Sequence, residues 1–187
     1  MSRSEPPLPL LPEEPDDADV RQMFEDVRGR WPAVPNLYKT LGHSPEMLRA
    51  WLDIAWPLRL NATTPRRLRE MMILCGAQVA QTGYEWAHHV PLALEAGVTQ
   101  EEVDALFRGD IPESASDAER AALRLAEEVT RGPGASPDCI ENLKPHFTGA
   151  QIIELTLTAS FYVCVGRMLT SLSVPLEDKF EEPWPGN

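Results

Sequence analysis

Along nearly the whole of this chain, apolar residues return every three or four positions, and no stretch alternates convincingly as a half-buried strand would. The pattern predicts an all-α protein. Its centre is the run from position 64 to 97. Leu68, Met71, Met72, Leu74, Cys75, Val79 and Ala80 make a broad apolar helical face there. Thr64 is placed as its N-cap, with Pro65 in the first turn. Gly83 breaks the run. A second helix then carries Glu85, His89, Leu92, Ala93 and Ala96 to Gly97, a natural residue for the position just past a helix end.

The flanking segments keep the same period. A helix over 20–30 turns Val20, Met23, Phe24 and Val27 inward, and the Trp31-Pro32 and Val34-Pro35 pairs end it. A short helix opens at Pro35-Asn36. A longer one opens at Ser44-Pro45, with Met47, Leu48, Trp51, Leu52 and Ile54 toward the core, until Pro57 kinks or ends it. Trp51 and Trp56 read as core residues. Thr99 with Glu102, and Ser116 with Glu119, are capping boxes that start helices over 100–107 and to about 131. The first buries Val103, Leu106 and Phe107. Ser136-Pro137 opens a short helix around Cys139, Ile140 and Leu143. The last helix, 148–172, starts with Thr148 and Gln151 and is apolar almost all round. Such a helix is central or lies at a subunit interface.

Composition narrows the possibilities. A length of 187 residues fits one domain with a sizeable core. The net charge of −12 argues against nucleic acid and anionic membrane surfaces as partners, and an anionic substrate would need a local cluster of arginines. The three cysteines, Cys75, Cys139 and Cys164, form no motif, and Cys75 and Cys164 lie in apolar runs. Buried thiols in a reducing, cytoplasmic setting follow. Pro6-Pro7-Leu8-Pro9 interrupts the only apolar N-terminal run, so no signal peptide is expected, and no run approaches the roughly 18 apolar residues of a membrane span. Positions 1–18 hold five prolines and several acids, and read as an extended arm, a loose tail in preference to one draped over a neighbouring subunit. The domain is expected over 19–178, followed by a loose acidic tail over 179–187 with Trp184 between prolines.

The sharpest candidates for chemistry are Glu70, Glu85 and His89. Glu85 and His89 are four apart and share a helical face. Glu70, on the preceding helix, is expected to face the apolar stripe and not the flanking arginines. A carboxylate bonded to imidazole fixes its tautomer and raises its proton affinity, which suits a base near neutral pH; the plainer reading is a buried pair that holds two helices together. His88 points about 100° away from His89 and is expected at the surface or an interface. Adjacent histidines cannot share one face and no third lies nearby, so neither a metal nor a cofactor is expected. Arg167, in the apolar last helix, is expected to neutralise Glu70 or Glu154, ahead of binding a substrate carboxylate. Arg66, Arg67 and Arg69 read as a solvated charge run. Tyr84 and Trp86 stand as substrate contacts or as packing residues.

The wording around Glu70, Thr82, Glu85 and His89, YEWAHH included, resembles the carboxymuconolactone decarboxylase / alkylhydroperoxidase D (AhpD) family over roughly residues 35–178. In the redox branch of that family a Glu is followed twelve residues later by Cys-x-x-Cys and then a His. Here Glu70 falls on the Glu, Thr82 and Glu85 on the two cysteines, and His89 on the His. The resemblance is therefore to the non-redox branch. It implies an AhpD-like helical bundle in a single domain, assembling as a trimer or hexamer. It implies a cofactor-free lyase that decarboxylates a small ring-bearing acid, with Glu70, Glu85 and His89 at one pocket, His89 as proton donor and an arginine seating a carboxylate. A thiol peroxidase and a non-catalytic oligomeric member of the fold are the other readings.

Overall fold

The computed structural model describes residues 6–31 and 33–184. The first five residues of the expected arm, Pro32 as a helix terminator and the last three residues of the expected tail lie outside them. Among the described residues the chain is helical without strands, as expected. In order run α1 (Ala18–Arg28), α2 (Asn36–Leu41), α3 (Pro45–Leu60), α4 (Arg66–Ala80), α5 (Gly83–Glu95), α6 (Gln100–Phe107), α7 (Asp117–Arg131), α8 (Pro137–Leu143) and α9 (Gly149–Ser171). Helix α4 is the hub, packed on α5, α6, α7 and α9, while α1 and α2 lie on α3. One apolar cluster joins α1–α3 to α9 through Phe24, Leu48 and Phe161. A second joins α4, α7, α8 and α9 through Met72, Leu125 and Leu155, and a third joins α4–α7 through Leu74, Trp86 and Leu123.

Local chemistry accounts for most helix starts. The three boxes at Thr99, Ser116 and Thr148 are all formed, each with its reciprocal side-chain and backbone bonds. Thr64, however, does not cap α4. Its hydroxyl accepts from Arg69 Nη1 at 3.2 Å, and Pro65 is the flanking residue. The break between α4 and α5 falls at Gln81, not Gly83. Gln81 is left-handed (φ 54°), which lets the Thr82 N–H reach back to the Ala77 carbonyl at 2.9 Å and close the helix end. Gly83 is the first residue of α5, and Gly97 (φ 93°) takes the left-handed position after it. Helix α3 runs on through Pro57. That proline and Asp53, whose carbonyl it frees, are both exposed, so water can take the lost bond.

Several expected core positions turn outward. On α3 the inward face is Leu48, Leu52, Ala55 and Leu58, leaving Met47 59% and Ile54 45% exposed. Cys164 is exposed, against the expectation of a buried thiol. Along α9, Leu155 packs into the cluster with α4, α7 and α8, and Tyr162, Val165 and Leu169 into that with α1–α3, whereas Ile153 is 67% exposed. At 23 residues α9 is long and apolar enough to cross a membrane, although it contains no unbroken apolar run of that length; one side of it is core. The arginine run is not a solvated face. Arg67 binds Glu102 with two parallel bonds of 2.9 and 2.8 Å, tying α4 to α6, and Arg69 is buried.

Both chain ends are tied down where they are described. Glu13 pairs with Lys39 at 2.6 Å, and His43 Nε2 donates to the Pro9 carbonyl at 2.7 Å. The C-terminal segment is not loose. Trp184 stacks on Phe107 at 5.3 Å and meets Trp86 edge-on, because three aromatic faces bury more area together than in water. Glu177 anchors this segment. Its Oε1 accepts from the Asn36 N–H at 2.7 Å and the Tyr84 hydroxyl at 2.9 Å, and its Oε2 lies 2.6 Å from His88 Nε2.

Burial alone would raise the Glu177 pKa, but His88 and the Asn36 N–H hold it at about 2. Its folded pKa is thus depressed. The stability it supplies is present above the ordinary carboxylate range near 4.5 and is lost as pH falls toward 2. Glu177→Ala leaves three partners unpaired and is expected to cost about 1–3 kcal/mol in urea melts at neutral pH. The gap from the wild-type protein should narrow as the melts are repeated below pH ~4.5; a gap that does not change with pH would contradict this account.

Candidate active site

Two consecutive helices bring the candidate acids and the imidazole together. Glu70 lies in the middle of α4, and Glu85 and His89 lie one turn apart on α5, packed against it. All three are buried. His89 Nδ1 and Glu70 Oε2 are 2.8 Å apart. Glu70 does not turn away from its arginines, as expected from the sequence. Arg66, one turn earlier, approaches its Oε1 to 3.7 Å. The carboxylate therefore lies between an imidazole and a guanidinium. Burial pushes its pKa up, but His89 and Arg66 outweigh that and bring it below its ordinary value. For His89 the balance is opposite: burial disfavours the imidazolium more than Glu70 favours it, so its pKa lies below the ordinary value.

Glu85 stands in a different environment. It is 4% exposed and makes no ion pair among the described residues. Oε2 accepts from the Thr82 hydroxyl at 2.5 Å, and Oε1, buried, has no hydrogen-bond partner among the described residues. Burial therefore raises its pKa to about 8, against a smaller opposing effect of the Thr82 bond. At neutral pH this is a carboxylic acid with a proton to give. Gly166 of α9 lies directly over it: a Cβ there would come within 2.7 Å of Glu85 Oε2 and 2.9 Å of Thr82 Cγ2. Only glycine lets α9 approach so closely.

Glu85 and Thr82 line a cavity of about 340 Å³ between α4, α5, α7 and α9. Its walls are mostly small or apolar, with Met72, Ala77, Ala126 and Val163 among them, and Thr130, Thr158 and Arg167 as polar points. Arg167 is exposed and pairs with neither Glu70 nor Glu154. Those acids are already engaged, by His89 and by Thr63 and Thr64, so the guanidinium remains at the cavity edge. His89 does not line this cavity. It borders a gap of about 40 Å³ that Glu85 also lines, with the Tyr162 ring 4.9 Å away, edge to face. Tyr84 and Trp86 stand here as packing residues. The Tyr84 hydroxyl is taken by Glu177 and the Leu37 N–H, and Trp86 packs on Phe107 and Trp184, so neither lines the larger cavity. His88 is held by Glu177 and stacks on Tyr84 at 4.4 Å.

Sequence reasoning missed Tyr162 and Arg59. Arg59 donates from Nε to the Tyr162 hydroxyl at 3.3 Å and from Nη1 to the Tyr38 hydroxyl at 3.0 Å. The signal was present, since a tyrosine inside an apolar helix needs a partner for its hydroxyl. Among the described residues no group of three or more His, Cys, Asp or Glu side chains is arranged to hold a metal ion.

A helical bundle whose central helix pair carries this Glu–His bond and a buried acid four residues before the His belongs to the AhpD-core fold. Residues 45–128 match the carboxymuconolactone decarboxylase family, and the whole chain has the AhpD-core helical fold. No curated protein matches the sequence. Among solved structures, the alkylhydroperoxidase AhpD core of an uncharacterized peroxidase-related protein from Ralstonia eutropha JMP134 is similar at a TM-score of 0.83, with 20% identity and 95% of each chain covered. A peroxidase-related protein from Silicibacter sp. TM1040 is similar at 0.81, with 18% identity and 96% of each covered. The debrominase Bmp8, in complex with 2,3,4-tribromopyrrole, is similar at 0.75, with 19% identity, over 87% of this chain and 88% of that one. At such identities the likeness is one of fold.

The Glu70–His89 bond makes the two titrations depend on each other. Glu70→Gln keeps the shape and removes the charge that favours imidazolium, so the His89 titration followed by NMR should move to still lower pH. An unmoved titration would mean that the 2.8 Å contact is not an electrostatic pair in solution.

Proposed function

We propose that this protein is a cofactor-free lyase of the carboxymuconolactone decarboxylase kind, acting on a small ring-bearing organic acid. The observation that carries this is Glu85: a buried acid with a pKa of about 8, lining a mostly apolar cavity. Loss of carbon dioxide leaves the bonding electron pair on a ring carbon, as a carbanion or enolate. The Glu85 hydroxyl donates its proton to that carbon, and the carboxylate so formed is reprotonated from water. Such a step needs a protonated acid at neutral pH, which burial provides. Arg167 would hold a carboxylate of the substrate at the cavity edge. This assigns the donor role to Glu85 in place of His89, which lies in the layer behind with Glu70. The tribromopyrrole bound by Bmp8 is likewise a small ring.

The peroxidase reading needs a low-pKa thiol with a second thiol beside it. Burial instead pushes the Cys75 thiol up to about 12, and Thr82 and Glu85 stand where the family's redox branch has its cysteines. We also propose self-association, through the uncovered side of α9 that carries Ile153 and Leu157, in a reducing compartment.

The test is carbon dioxide release from a panel of cyclic carboxylic acids. Glu85→Gln should slow the reaction about 10²–10⁴-fold, while maleimide labelling of the native protein should leave the rate unchanged. Full activity in Glu85→Gln, or loss on thiol labelling, would overturn the lyase reading. Assembly is checked by light scattering at micromolar concentration, where a mass well above the 20.9 kDa of one chain is expected.

A further inference from the structure

A second cavity, of about 550 Å³, lies beyond the first, separated from it by Ile73, Thr158 and Tyr162, which face both. Its charge runs against that of the whole chain. Arg30, Arg59, Arg66 and Arg69 line it, against Glu70 and Glu95, in a protein with a net charge of −12. Both acids are already engaged, Glu70 by His89 and Glu95 by Arg66 at 3.0 Å. Two of the arginines are in an unusual state. Arg69, 6% exposed, donates to the Thr64 carbonyl and hydroxyl and to the Arg59 carbonyl. Arg59 donates to two tyrosine hydroxyls. Neither makes an ion pair with a carboxylate among the described residues, and Arg69 Nε and Arg59 Nη2 make no hydrogen bond there.

Neutral oxygens orient a guanidinium but do not neutralise it. Glu70 and Glu154 act on Arg69 only at longer range, and the N–H groups left unbonded on Arg59 and Arg69 remain open to the cavity, where an anion can complete them. The same cavity is also lined by aromatic rings. Trp31 and Trp56 stack on each other at 5.3 Å, with the Arg59 and Arg30 guanidiniums over their rings at 5.2 and 4.5 Å. A planar fork of donors beside stacked indoles matches an oxyanion carried on an aromatic ring.

We propose that this second cavity is a binding site for an aromatic carboxylate, with the carboxylate on Arg69 and Arg59 and the ring along the edges of the Trp31–Trp56 stack. The site is separate from the cavity of Glu85 and does not depend on what Glu85 does. Benzoate is the probe, titrated into the full-length protein by calorimetry, with inorganic phosphate in parallel and tryptophan fluorescence as a second signal. Saturable benzoate binding is expected. Arg69→Gln should weaken it about tenfold or more, the usual consequence of losing a charge-assisted bond. Arg66→Gln, at an exposed position, should weaken it several-fold and decides the matter if Arg69→Gln does not fold. Arg167→Gln should leave it unchanged. Absence of saturable binding would overturn the proposal. So would weakening by Arg167→Gln alone, which would put benzoate in the first cavity. Phosphate binding as tightly as benzoate would overturn the aromatic assignment, because the tryptophans would then contribute nothing.

Discussion

A carboxylate in the middle of a central helix must find a partner, and the partner Glu70 finds decides how α5 lies on α4. The 2.8 Å contact with His89 Nδ1 fixes the rotation of α5 about its axis. Once that rotation is set, Glu85, one turn earlier, faces the seam between α4 and α9, and Trp86 turns the other way into the cluster with Phe107. A polar bond in the core thus specifies one arrangement of two helices that apolar faces alone would tolerate in several. The pair is satisfied on both sides, since Arg66 approaches the second carboxylate oxygen.

The contrast between the two buried glutamates follows from the same geometry. Glu70 has an imidazole and a guanidinium within reach and stays ionised. Glu85 has a threonine hydroxyl and the bare backbone of Gly166, and burial favours its protonated form. Two carboxyls of one type, on two consecutive helices, are held one ionised and the other protonated by what surrounds each. Tyr162 stands between them and the second cavity, with its ring on His89 and its hydroxyl on Arg59.

Charge is distributed with equal economy. Most of the acidic excess lies on the surface, whereas Arg59 of α3 and Arg67 and Arg69 of α4 turn inward, Arg67 to Glu102, Arg69 and Arg59 to neutral oxygens around a cavity. An inward-facing basic region in an acidic chain lowers the electrostatic cost of placing a small anion there.

The sequence by itself determined the helical class, the order of the helices and most of their starts. Those features rest on local rules: a 3.6-residue period, and a Ser or Thr three residues before a Glu or Gln, need no distant contact to act. It also paired Glu70 with His89 and Glu85 through a family motif, because the spacing of that motif is itself helical. What it could not supply were the facts that depend on residues far apart in the chain. Met47 and Ile54 read as core because they are apolar, but which side of α3 is covered depends on where α1 and α2 lie. Arg167 read as an internal partner, but Glu154 and Glu70 were taken first by the Thr63–Thr64 turn and by His89. Trp184 read as loose, since nothing near it in sequence shows that Phe107 and Trp86 wait across the fold. The proton on Glu85 is likewise a tertiary property. Burial beneath Gly166 puts it there, and burial is set by the approach of two helices that begin more than sixty residues apart.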